Sequence, residues 1–168
     1  MFRMSFILKQ KHDGSLILEL PIWFRIIFLF IAVLLAAGVF VSGIHANSQW
    51  IPILIIIACI GGALYEEKWI FNKSENCISY ISGTMLINRK KLYKFEDIEI
   101  LNVTGKIHSD NEGKINRLRK NMAKFSMVLN SGKILDIDIT TGKTDSAELK
   151  EKAQKIAAYC GIELAVDS

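Results

Sequence analysis

The chain has 168 residues, of which 51% are hydrophobic, with a formal net charge of +4. That length holds a pair of membrane helices and one small domain, not two domains, and so mild a basic balance does not fit a dedicated nucleic-acid binder. Three widely spaced cysteines, Cys59, Cys77 and Cys160, and three isolated histidines, His12, His45 and His108, form neither a disulfide framework nor a metal-ligand set, so no cofactor is expected.

Residues 1–21 carry two short apolar runs, SFILKQ and SLILEL, around Lys11-His12-Asp13-Gly14. An Asp-Gly turn between such runs predicts a β-hairpin. An isolated two-stranded hairpin is marginal in water, so it is expected to join the sheet of the domain that follows. The membrane segment then becomes an insertion within one fold.

Residues 22–65 contain a single charged side chain, Arg25. The first half, 22–43, would form a helix of ~33 Å, long enough for a hydrocarbon core of ~30 Å. The second, 50–65, reaches only ~24 Å as a straight helix. A helix apolar on every side needs protein or lipid all round it, and the rest of the chain is too small to enclose two. The expectation is a transmembrane hairpin, and its length, late start and immediate repetition fit poorly with a cleaved signal peptide. Positive charges flank the pair at Arg3, Lys9, Lys11, Lys68 and Lys73, and are absent from 44–49, so both termini are expected in the cytoplasm. Arg25 is expected to snorkel to head groups, and Gly61, Gly62, Ala36, Ala37 and Gly38 to allow close helix packing.

From residue 66 the pattern alternates: KWIFN, CISYIS, a break at Gly83, TMLINRKKLY, a short connector at residues 94–98, IEILNVTGKI, and then KFSMVLN and KILDIDIT about Ser131-Gly132. These runs predict an antiparallel meander. Residues 108–123 read as a long exposed loop. Leu135, Ile137 and Ile139 are expected to face inward, with Asp136 and Asp138 as the solvated half of an amphipathic strand. Asp145-Ser146-Ala147-Glu148 predicts a capped helix over 145–160, stopped by Gly161, with Leu149, Ala153, Ile156, Ala157 and Cys160 as its apolar stripe. The expected fold is therefore α+β: the transmembrane hairpin over 22–65 and, over 66–168 with the N-terminal hairpin, an antiparallel β domain of about seven strands closed by a C-terminal helix.

The segment 77–105, CISYISGTMLINRKKLYKFEDIEILNVTG, with its strand, Gly, basic strand, "F-x-D-I" connector and "I-x-I-x-x-V" strand, resembles the bacterial PH-like domains that accompany paired membrane helices. The resemblance implies a PH-like fold in a bacterial cytoplasmic (inner) membrane, multi-pass, with a binding module that acts as a scaffold or assembly factor. The expected contacts are the bilayer, anionic lipid head groups, a protein partner or a second copy, and not nucleic acid. Candidate contact residues are Arg89, Lys90, Lys91 and Lys94, with Lys114, Arg117, Arg119, Lys120 and Lys124 from the long loop. Lys9 and Lys11 stand where typical PH domains place a basic pair. No nucleophile-base pair, metal motif or phosphate loop is present in the sequence, and a catalytic role is not expected. The alternative is an accessory subunit of a larger membrane complex, and a membrane-surface enzyme ranks below it.

Overall fold

A computed structural model describes residues 6–42, 50–105, 122–141 and 143–167. The chain is α+β, with nine strands and three α-helices among these residues. The short loop expected at 44–49 and nearly all of the long one expected at 108–123 lie outside them.

Strands β1 (Ile7–Gln10) and β2 (Leu16–Glu19) form the hairpin that Asp13-Gly14 predicts. The Asp13 carboxylate accepts bonds from the Ser15 backbone N–H at 2.9 Å and from the Ser15 hydroxyl, closing the turn and holding its own pKa below the usual carboxylate value. Helix α1 (Ile22–Ser42) and helix α2 (Trp50–Ala63) follow, and then β3 (Tyr65–Asn72), which pairs antiparallel with β2. The hairpin thus belongs to the main sheet, and two helices separate strands that are hydrogen-bonded neighbours. Strands β4 (Cys77–Thr84) and β5 (Asn88–Lys94) complete a five-stranded antiparallel sheet in simple sequence order.

A 3-10 turn at Phe95–Asp97 leads into the second sheet. Its strands are β6 (Ile98–Thr104), β7 (Met122–Leu129) and β8 (Ile134–Thr141). Helix α3 (Lys143–Cys160) ends where the Gly161 and Ile162 N–H groups both bond the Ala157 carbonyl, at 2.8 and 3.1 Å. Beyond it lies an element that alternation did not reveal, β9 (Leu164–Asp167), which pairs parallel with β6. With β9 the described residues hold nine strands, against the about seven expected.

One core joins both sheets and α3. It contains Leu16, Leu18, Trp69, Phe71 and Ile78 from the first sheet, Leu101, Val103, Phe125 and Met127 from the second, and the predicted stripe of Leu149, Ala153, Ile156, Ala157 and Cys160 from the helix. α3 is also tied to the first sheet at two points: Lys152 Nζ donates to the Phe6 carbonyl at 2.7 Å, and the Lys73 N–H to Tyr159 Oη at 3.4 Å.

The two aspartates of β8 require a correction. Phe125 pairs with Asp138 but Ser126 pairs with Asp136, so Ile137 is an extra residue, a β-bulge. Past the bulge every side chain changes face. Asp138 is only 3% exposed and Thr140 is buried beside it, whereas Ile139, expected inside, is 45% exposed. Asp138 is therefore not part of a solvated face; Asp136 is, pairing with Lys124 at 2.8 Å.

α1 has 21 residues, of which Ile22–Val41, with mean hydropathy 2.7, are long and apolar enough to cross a membrane. α2 has 14, or ~21 Å, less than a straight span needs. Phe28, near the start of α1, rests on Gly62, near the end of α2, so the helices pack antiparallel. A Cβ at Gly62 would come within 2.9 Å of the Phe28 ring, which makes Gly62 the close-approach glycine; Gly61 and Gly38 meet nothing within 4 Å.

Candidate functional site at the helix–sheet junction

Both helices meet the first sheet at the same end. Leu20 and Pro21 are the only residues between β2 and α1, and Leu64 the only one between α2 and β3. The register of the sheet then sets the height of each side chain above this junction. Tyr65 is level with Thr84, Glu66 with Gly83 and Asn88, Glu67 with Ser82 and Arg89, and Trp69 with Tyr80 and Lys91.

On one face of the sheet Glu66 accepts from Lys68 at 3.0 Å and lies 3.7 Å from Arg25 of α1. Arg25 is thus matched to a carboxylate of the sheet as well as placed one turn into an apolar helix; sequence reading assigned it only to head groups. On the core face Glu67 accepts from the Tyr80 hydroxyl at 2.8 Å and the Tyr65 hydroxyl at 3.2 Å. Burial, reinforced by the Glu67 bond, pushes the Tyr80 hydroxyl up to about 12, so it remains a donor. The Tyr80 ring packs on Trp69 at 4.4 Å between centroids, and Tyr93 lies 6.4 Å from Trp69. Polar clamps thus fix both faces of the sheet where the helices join it.

The candidate basic residues separate into three groups. Lys9 is paired with Glu19 at 2.6 Å, Lys11 with Asp13 at 3.6 Å and Lys124 with Asp136 at 2.8 Å, so their charge is locally compensated. Arg89, Lys90, Lys91 and Lys94 lie on β5, the exposed edge of the first sheet, with no ion-pair partner among the described residues. Lys114, Arg117, Arg119 and Lys120 fall outside the described residues. Along β5, Arg89 and Lys90 are within ~10 Å of the junction level, whereas Lys94, Lys9 and Lys11 are ~20 Å from it, more than two Debye lengths at physiological salt.

The sequence reading missed the tip between β4 and β5. Alternation predicts TMLINRKKLY as one strand, but the chain reverses at Met85 and Leu86, leaving Met85, Leu86 and Ile87 59%, 85% and 79% exposed. A detectable signal was present: three consecutive apolar residues after a glycine cannot all face the core of an alternating strand.

Elsewhere, a cleft of ≈ 430 Å³ between β1, Trp23 and α3 is lined by Phe6, Leu8, Glu148, Glu151, Lys152 and Lys155. Its charges pair internally, Lys152 with Glu148 at 3.0 Å and Lys155 with Glu151 at 2.7 Å. Burial pushes the Cys160 thiol up to about 12, so it is not a thiolate nucleophile. Among the described residues no group of three or more His, Cys, Asp and Glu is placed to hold a metal ion. No protein-family model matches the chain, and no curated protein is significantly similar to it.

Proposed function

We propose that this chain is a membrane-anchored binding module, a scaffold or assembly factor rather than an enzyme. In this reading α1 and α2 form a transmembrane hairpin, with both termini and the β domain on the cytoplasmic side of a bacterial inner membrane. The observation that carries the reading is the insertion of two apolar helices, exposed along most of their length, between the hydrogen-bonded neighbours β2 and β3. Such faces are stable only in lipid or against other protein. The shortness of α2 is accommodated by flanking apolar residues or local thinning of the bilayer.

A meander sheet, the antiparallel β6, β7 and β8 of the second sheet and the helix α3 over a shared core support a PH-like architecture; the fifth strand of the first sheet and β9, which pairs parallel and makes the second sheet mixed, depart from a seven-strand plan. The uncompensated edge of Arg89, Lys90 and Lys91 supports contact with anionic head groups or an acidic protein surface, at ~1 kcal/mol per basic residue near an anionic leaflet. Open small-residue positions at Gly38 and Gly61 favour the second reading, an accessory subunit of a larger complex.

The test is alkaline carbonate extraction of membranes, followed by crosslinking and purification in mild detergent. The wild-type chain stays in the membrane pellet and retains partners, and the triple charge reversal Arg89→Glu, Lys90→Glu and Lys91→Glu loses at least tenfold of them. Release of the wild-type chain into the carbonate supernatant refutes the anchor, and unchanged partner recovery refutes the role of the edge.

A further inference from the structure

Sequence rules make the β4–β5 tip an unexpected place for apolar side chains. Thr84 and Ile87 exchange backbone bonds, N–H to carbonyl in both directions at 3.0 Å, so the loop proper is the pair Met85 and Leu86. Two-residue hairpin loops are ordinarily Asn-Gly, Asp-Gly or Gly-X, because their central residues need positive φ and face water. Here the required backbone freedom is moved back to Gly83, whose φ is +142° and where a Cβ would collide with the Ile87 carbonyl oxygen. The loop positions are thereby released for Met and Leu. A local rule broken in this way, with a compensating glycine beside it, marks a position shaped by something other than folding.

Geometry supplies what that is. Phe28 stands six residues, ~9 Å, inside α1, and its ring, leaning back toward the start of the helix, touches Gly62, so the end of α2 lies within that depth. Leu64, two residues on, is ~3 Å nearer the sheet, and its carbonyl accepts the Met85 N–H at 3.0 Å. The Leu20–Glu67 bond puts the first residue of α1 about level with Tyr65, so the base of the tip is ~3 Å deeper than that residue, and β4 runs toward the helices, so Met85 and Leu86 extend past that level. With α1 filling a hydrocarbon core of ~30 Å, this level is inside the bilayer boundary. Behind the tip, Arg89, Lys90 and Lys91 follow at head-group height, all exposed. An apolar end with a basic collar is the distribution of an interfacial membrane anchor.

We infer that Met85, Leu86 and Ile87 form a third membrane-contacting element. The tip enters the acyl boundary of the leaflet facing the sheet, and Arg89, Lys90 and Lys91 lie on its anionic head groups. This inference rests on the membrane reading of α1, and its test separates the two.

The full chain, with Cys59, Cys77 and Cys160 replaced by Ala, is reconstituted into vesicles of phosphatidylcholine with about one third phosphatidylglycerol. Single spin labels are placed by Leu86→Cys at the tip, Leu34→Cys on α1 and Ser74→Cys at the far end of the sheet. Collision with oxygen, which partitions into lipid, is compared with collision with a water-soluble nickel chelate. The expected result is a lipid signature at both 86 and 34, with oxygen collisions exceeding nickel collisions several-fold, and the reverse ratio at 74. A water signature at 86 with a lipid signature at 34 overturns the inference and leaves the anchor standing. Low accessibility to both reagents at 86 assigns the tip to a protein contact and also overturns it. A water signature at 34 removes the membrane reading and the inference with it.

Discussion

If the helices are an insertion into one sheet, cutting the chain after them should destroy the domain, and rejoining β2 to β3 without them should preserve it. Residues 67–168 alone lack Phe6, Leu16 and Leu18, three buried members of the common core. Truncating one buried leucine or phenylalanine costs ~2–5 kcal/mol, so even at the low end three cost ~6 kcal/mol, comparable to the ~5–15 kcal/mol that holds a whole domain. Trp69 and Phe71, which pair with Leu18 and Leu16, would also lose their cover on the β2 side. The fragment is expected not to fold.

The rejoined chain replaces residues 21–66 with Asn-Gly. The Leu20 N–H already bonds the Glu67 carbonyl at 3.3 Å, which is the closing pair that a two-residue hairpin requires. Shortening the connection lowers the loop-closure cost by up to ~3 kcal/mol, an upper bound because packed helices are not a flexible loop. Near-UV circular dichroism melts and amide NMR spectra of both proteins provide the assay. A cooperative melt and dispersed amides are expected only for the rejoined chain. If residues 67–168 alone melt at the same temperature as the rejoined chain, the N-terminal hairpin is an appendage and the insertion account fails.

Two further expectations concern the same domain. Phe125→Ala, at the centre of the core, should lower stability by ~3–5 kcal/mol in urea unfolding, and a loss below 1 kcal/mol would show that β7 is not the centre of the packing. Tyr80 has a pKa of about 12 when folded against 10.0 for the free side chain, so the folded state binds its proton more tightly. Its stabilisation is complete below pH 10 and disappears as pH rises from 10 toward 12; Tyr80→Phe should flatten that alkaline loss, and ultraviolet titration of the wild type should show a late-ionising component, to which Tyr65, also raised by burial and by Glu67, contributes and which Tyr80→Phe reduces.

The parts of the fold legible in the sequence were those with turn chemistry. Asp13-Gly14 and Ser131-Gly132 place hairpins because Asp and Gly satisfy a turn's own backbone, and the α3 stripe is legible because its period is helical. What escaped depends on partners distant in sequence. The bulge at Ile137 arises from pairing with β7, and no local pattern says where an alternating strand changes face. β9 is four residues long and owes its existence to the open edge of β6. The charge pattern misled for the same reason. Lys9, Lys11 and Lys124 look equivalent to Arg89 and Lys90 in sequence, but turn and register bring carboxylates to the first three and, among the described residues, none to β5.

The connections themselves bear on what an attached domain can do. A module on a flexible linker samples orientations and finds its partner by diffusion, whereas this one has two residues between β2 and α1 and one between α2 and β3. Those two connections lie on adjacent strands, ~4.8 Å apart, and Arg25, Glu66 and Lys68 link the first turn of α1 to the sheet. Tilting the sheet against the helices would break these bonds together with the Leu64–Met85 link. The orientation of β5, and with it the placement of Arg89, Lys90 and Lys91 relative to the helices, is therefore set by the fold, and in the proposed reading not by the surface it meets. A rigidly posed edge of this kind avoids the ordering cost that a loosely tethered one incurs on binding, so its affinity should depend on charge and shape and be insensitive to changes in residues far from the junction.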